Sequence, residues 1–399
     1  VRAFATAVLA ALACGACSID YDRYVGAGAR DVGPGRDAGS DLATPDAGSD
    51  ASAPGDAGGD AREQDMGDDD AGSSDGGCVP RRPPPRPSIE DGDDTPLRYF
   101  AMRALRVGSG ESWRTLGYDL DGLCTALDSP LSQLGCAPRM AAAGFGPLAD
   151  APEGLDNAYG QTFVPLVLLV YPMFEAQLNA AFETGIVGVL IRVAGWNGSP
   201  DDPVVDVALV EGVGLASTGD AAAPAPRWDG SDRWVVADRA FASGDLSRPL
   251  ARDSAAYVAG GLLVARPRDG TEVHLPAGLA QDLAIRLEGM VLTARLAAFG
   301  AALEGGIVAG SWRLDDVFAA LPGLGVCTDH MLYEATTTAL SRNADVRGGG
   351  RVAPELECDA LSVGFGFEAE RIHEDVVVGR GNEREDTCRR RDAGTGRHR

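Results

Sequence analysis

The chain has 399 residues, and 59 acidic side chains against 35 basic ones leave a net charge of −24. Such an acidic balance excludes electrostatic capture of nucleic acid as the main activity. Every basic residue is arginine, a bias that points to a GC-rich genome rather than to a physical requirement.

The first element in chain order is an apolar run from Ala3 to Ala13 that follows Arg2 and ends in small residues around Cys14 and Cys17. About eleven apolar residues are too few for a bilayer core of roughly 30 Å, which takes about 20 helical residues, so the run reads as an export signal rather than a span. Cys14 follows Ala11-Leu12-Ala13, and Cys17 follows Cys14-Gly15-Ala16. This arrangement resembles the lipobox of bacterial lipoproteins. The resemblance implies lipidation of Cys17 or Cys14, a membrane contact through that anchor, and a place at the outer membrane or cell surface of a Gram-negative bacterium.

Residues 28–78 hold twelve aspartates and Glu63 against three arginines, with no aromatic residue. Such a segment buries too little to offset its ordering entropy, and like charges extend it. A coil of about 60 residues would span roughly 40–45 Å. Its composition resembles the stalks of surface lipoproteins, and Pro80 to Pro87 closes it as a stiff spacer. The expected organisation is a signal and anchor over 1–17, a tether over 18–96, a β-rich domain over 97–378 and a basic tail over 379–399.

Within 97–378, period-2 alternation predicts strands at Val187–Val193, Val205–Leu209, Leu283–Leu287 and Leu361–Phe367. Ala259-Gly260-Gly261 predicts a hairpin turn between Tyr257-Val258 and Leu262–Val264. Helices are expected over Asp156–Thr184 with breaks near Pro165 and Pro172 and a stop at Gly185, over Leu314–Leu321, and over Cys327–Ser341. The fold class is mainly β with a few helices, as a β-sandwich-like extracytoplasmic domain stapled by disulfides. Setting aside Cys14 and Cys17, six cysteines allow 15 pairings. A short loop containing Pro130 favours Cys124 with Cys136, Cys327 with Cys358 would staple the late helices to the last strand, and Cys78 with Cys388 would tie the two ends of the domain together.

Catalytic motifs are missing. His274, His330, His373 and His398 show no His-Glu-x-x-His spacing, no Gly-x-Ser-x-Gly elbow occurs, and a lysine-free chain has no phosphate-cradling Gly-Lys loop. What remains is a set of acidic and amide residues in turns: Asp119 and Asp121 before Gly122, Asp156 and Asn157, and Asn197, Asp201 and Asp202. Oxygen donors of this kind suit Ca²⁺, which takes six to eight oxygen ligands. An EF-hand beginning at Asp119 is ruled out, because Cys124 and Pro130 stand where it needs Gly and Glu. The same residues also make turns without any metal. Trp196 and Trp228, each beside an Asn-Gly or Asp-Gly pair, are the candidates for stacking on a glycan. The functional expectation is a surface-tethered, non-catalytic binding or structural domain whose partner is a glycan or an envelope protein, with Ca²⁺ as its cofactor. The alternatives are an extracytoplasmic hydrolase using paired carboxylates and an envelope assembly component.

Overall fold

The alternating segments form antiparallel strands that close on themselves. The computed structural model describes residues 78–381 and Cys388, apart from residues 91, 140–145, 217–224, 279–280 and 330; the side chains of 276–278 and 281–282 are likewise outside the description. The anchor cysteines Cys14 and Cys17, the tether to residue 77, His330 and the tail from 389 therefore lie outside the described residues.

In chain order the strands are β1 (Arg98–Arg106), β2 (Cys136–Ala137), β3 (Gly188–Ala194), β4 (Asp202–Leu215), β5 (Trp234–Ala237), β6 (Ala251–Ala259) and β7 (Leu262–Ala265). Then follow β8 (Thr271–Gly278), β9 (Gln281–Leu296), β10 (Ala302–Arg313), β11 (Ala353–Glu357), β12 (Ala360–Ile372) and β13 (Val377–Gly379). The helices are α1 (Val164–Val170), α2 (Phe174–Glu183), α3 (Leu314–Ala320) and α4 (Met331–Arg342).

Eight strands form a closed antiparallel barrel in the order β4-β3-β1-β12-β10-β9-β7-β6, with β6 returning to β4. This corrects the sandwich: a sandwich keeps two separate sheets, whereas here β4 accepts β3 on one side and β6 on the other. The upper part of β4 leaves the ring to pair with β5, which pairs with β13 in parallel. Alternation along each strand sends Leu361, Val363, Phe365 and Phe367 of β12 into the core with Trp312 of β10 and Phe100 of β1. An eight-stranded barrel is just wide enough for side chains to fill. Among the described residues, this one is packed with side chains.

The predicted helical stretch after Asp156 plugs the barrel. Tyr159 and Phe163 stack at 5.2 Å, and Phe163 meets the edge of Trp312 at 5.3 Å. The break expected near Pro165 does not form: the π-helical turn Tyr159–Phe163 runs directly into α1, and Pro165 sits just past it. The chain breaks between α1 and α2 around Pro172, and Gly185 ends α2 at φ +66°. Phe174, Leu178 and Phe182 of α2 complete the plug, each buried side chain contributing about 1.5–3 kcal/mol. Among the described residues no single helix is long and apolar enough to cross a membrane.

Two expectations change. All six cysteines of the domain are bonded, but as Cys78–Cys124, Cys136–Cys358 and Cys327–Cys388. None of the three expected pairings forms, because the fold brings β2 beside β11 and residues 222 apart together. Three disulfides fit an oxidising, extracytoplasmic compartment. The packed unit also begins before Leu97. Residues 78–90 and 92–96 run along the barrel wall: Tyr257 Oη donates to Pro84 O at 2.6 Å, Arg86 donates to Pro203 O and Ala255 O, and Thr95 N donates to Trp196 O at 2.7 Å.

Candidate metal centre

The most unusual chemistry gathers where β1 ends. That strand stops at Arg106, opposite Gly366, and side chains take its place along β12. Asn157 accepts from Gly364 N at 3.1 Å and donates to Gly364 O at 3.0 Å, mimicking a strand. Its amide also donates to Trp113 O and Leu116 O, and its carbonyl accepts from Gly160 N. Asp345 accepts from Ser362 N at 2.8 Å and from the Ser362 hydroxyl. Small residues on β12 permit this approach: a Cβ on Gly364 would lie 2.2 Å from Leu116 O.

The loop following β1 then delivers Tyr118 to Asp121 onto the same region. Asp119 Oδ1 accepts from Gly122 N at 2.6 Å, and Asp121 Oδ1 accepts from Leu123 N at 2.9 Å. These are Asx turns, and Gly122 supplies the required φ of +84°. Asp156 reaches the loop from the other side: its N donates to Tyr118 O, and its Oδ2 accepts from Leu120 N at 2.7 Å. Ligand oxygens of Asp119, Asp121 and Asp156 consequently lie within 4.8 Å of one another. Asp119 and Asp156 are buried, and Asp119 Oδ2 has no hydrogen-bond partner.

Asp150 and Asp345 extend the cluster. Asp150 Oδ2 accepts from Thr125 N at 2.5 Å, and its charge helps to raise the Asp156 carboxyl. A cavity of about 10 Å³ beside Asp150, Asp345 and Arg342 has room for a single water or ion. Burial is the leading cause that raises all five carboxyls, and neighbouring carboxylates add to it at all but Asp119. Asp121 is lifted to about 6, Asp150 and Asp345 to about 7, Asp156 well above its usual range, and Asp119 in the same direction. A glycosidase pair needs one carboxyl held up and one held down. All five carboxyls of this cluster are shifted in the same direction.

The other sequence candidates go elsewhere. Asn157 spends its amide and carbonyl on backbone groups and serves as a clamp. Asn197, Asp201 and Asp202 lie in the β3–β4 turn and at the start of β4, next to the beginning of β1, whereas the Asp119 loop follows its end. There Asp202 accepts from Asn197 N and Val204 N, Asn197 Oδ1 accepts from Ser199 N, and Asp201 Oδ1 accepts from Gly260 N. Trp196 is buried, donates to Ser199 O and carries Arg98 over its ring at 4.7 Å. Trp228 is half-buried against Trp234 at 6.2 Å, with Arg103 over it at 5.6 Å. Trp196 therefore lacks the exposure that a stacking ring needs, while Trp228 keeps part of its surface open.

No family model, curated protein or solved structure matches this chain.

Asp150 and Asp345 escape sequence reading because neither stands in a spaced motif; only the closure of the barrel edge brings them to Asp156. Gly135 was equally silent. Its Cβ, if present, would fall 2.1 Å from Asp121 Oδ2. Gly135→Ala is therefore expected to displace the Asp121 carboxyl, lowering stability by about 1–3 kcal/mol and shrinking any calcium-dependent gain. Urea midpoints with and without Ca²⁺ check this, and unchanged midpoints would place Gly135 clear of Asp121.

Proposed function

We propose that this chain is a surface-tethered, non-catalytic binding or structural protein whose barrel domain takes Ca²⁺ on Asp119, Asp121 and Asp156. The observation that carries the reading is the convergence of three carboxylates around Asp119 Oδ2, a buried oxygen with no hydrogen-bond partner. An all-oxygen donor set with no histidine or thiolate favours a hard cation over zinc, and backbone carbonyls or water would complete its shell. Tethering is supported by the sequence order: the apolar run at Ala3–Ala13, Cys14 and Cys17, and the acidic stretch 28–78.

Thermal melts of the full chain in EDTA and in millimolar Ca²⁺ test the proposal. A ligand at about 100 times its dissociation constant adds roughly 2.7 kcal/mol, and a large domain moves about 2–4 °C per kcal/mol. The expected result is a rise of several degrees in wild type and none in Asp119→Asn. The variant should also melt higher than wild type in EDTA, since it removes a buried charge that Arg82, at 3.9 Å, attracts without hydrogen-bonding. Identical wild-type melts in EDTA and Ca²⁺ would sink the reading.

A further inference from the structure

The segment leading into the barrel carries a positive charge directly to the mouth of the carboxylate cluster. Arg81 N donates to Glu153 O at 2.8 Å, Arg81 O accepts from Asp119 N at 3.0 Å, and Cys78 is bonded to Cys124. These three ties fix the backbone just before Arg82 beside the loop that bears Asp119, and after it Pro84 O accepts from Tyr257 Oη at 2.6 Å. The Arg82 guanidinium then lies over the Asx turn: a Cβ on Gly122 would come within 2.8 Å of its Nη2. That nitrogen is 3.9 Å from Asp119 Oδ2, the buried oxygen with no hydrogen-bond partner. At this distance it attracts the carboxylate without satisfying it. The arginine side chain is 64% exposed, whereas that of Asp119 is 0% exposed.

From this placement we propose that Arg82 is a built-in competitor of the cation, a charge gate that sets the affinity of the site and swings into solvent when the ion enters. The proposal rests on the reading of Asp119, Asp121 and Asp156 as cation ligands. A divalent ion among them would meet Arg82 a few ångströms away, and repulsion at that range exceeds thermal energy even with partial screening. The backbone ties hold when the side chain leaves, so the gate opens without unfolding the segment.

The experiment is a charge series at one position in the full chain: wild type, Arg82→Gln, Arg82→Glu, Asp119→Asn, and Arg248→Gln as an exposed remote control. Terbium luminescence sensitised by Tyr118, next to Asp119, reports loading, and displacement by Ca²⁺ gives its affinity. Arg82→Gln is expected to tighten Ca²⁺ binding roughly three- to ten-fold, Arg82→Glu to tighten it further, and the control to leave it unchanged. The differences should shrink as salt rises. If wild type binds, Asp119→Asn does not, and the Arg82 series is flat or weaker, the gate is wrong and the site stands. If wild type binds neither ion, the site reading falls and the gate with it.

Discussion

Stripped of divalent cations by EDTA, the protein is expected to lose stability as the pH rises from about 4 to about 7. In the folded state burial lifts Asp121 to about 6, and Asp150 and Asp345 to about 7, from a usual value of 3.8, with Asp156 raised further still. Across this window the folded protein holds protons that the unfolded chain has released, so stability falls with increasing pH. The contribution is complete below the unfolded value near 4 and disappears as the pH passes the folded values. One pKa unit corresponds to about 1.4 kcal/mol, which makes the cluster worth several kcal/mol on an order-of-magnitude basis. Asp229 and Asp245, lowered by hydrogen bonds from Ser231 and Ser247, push the other way, but they are fully exposed. With Ca²⁺ bound, the ion replaces the protons and the slope should flatten, so the benefit of Ca²⁺ grows with pH. Urea midpoints at four pH values, in EDTA and in Ca²⁺, measure both slopes. Midpoints in EDTA that stay flat or climb from pH 4 to 7 would contradict the burial of these carboxyls.

The second large effect is covalent. Replacing both Cys136 and Cys358 by alanine is expected to lower stability by about 5 kcal/mol, since the bond closes 222 residues of chain and the loop-entropy cost grows with length. It is also the bond that joins β2 to β11 and lines the small cavity beside Asp150 and Asp345. The double variant should therefore lose calcium response along with stability. Removing Cys327–Cys388, which closes 61 residues near the end of the chain, should cost less. Denaturation of the two double variants side by side checks the order, and a larger loss for Cys327–Cys388 would overturn it.

Much of the secondary structure was readable from local pattern. The period-2 segments became β3, β4, β9 and β12, the Gly260-Gly261 pair became the β6–β7 turn, and Pro172 and Gly185 punctuate the helical plug, whereas the helix runs unbroken through Pro165. The carboxylates Asp119, Asp121 and Asp156 were legible as oxygen donors because Gly122 marks a sharp turn and Asp156 has no apolar role. Trp196 misled, since an Asn-Gly neighbour signals a turn but says nothing about which side of the turn the indole packs on.

The sequence by itself determined that this chain is acidic, mainly β and rich in paired cysteines, because alternation, turn chemistry and composition act over a few residues. Tertiary structure alone decided that the sheet closes as a barrel. A sandwich and a barrel share one alternation, and the difference is whether β6 finds β4. It likewise decided the disulfide partners, the union of Asp150 and Asp345 with Asp156, and the seat of Arg82 above Asp119. Each of these joins residues distant in the chain, and their proximity follows from strand pairing rather than from any local preference.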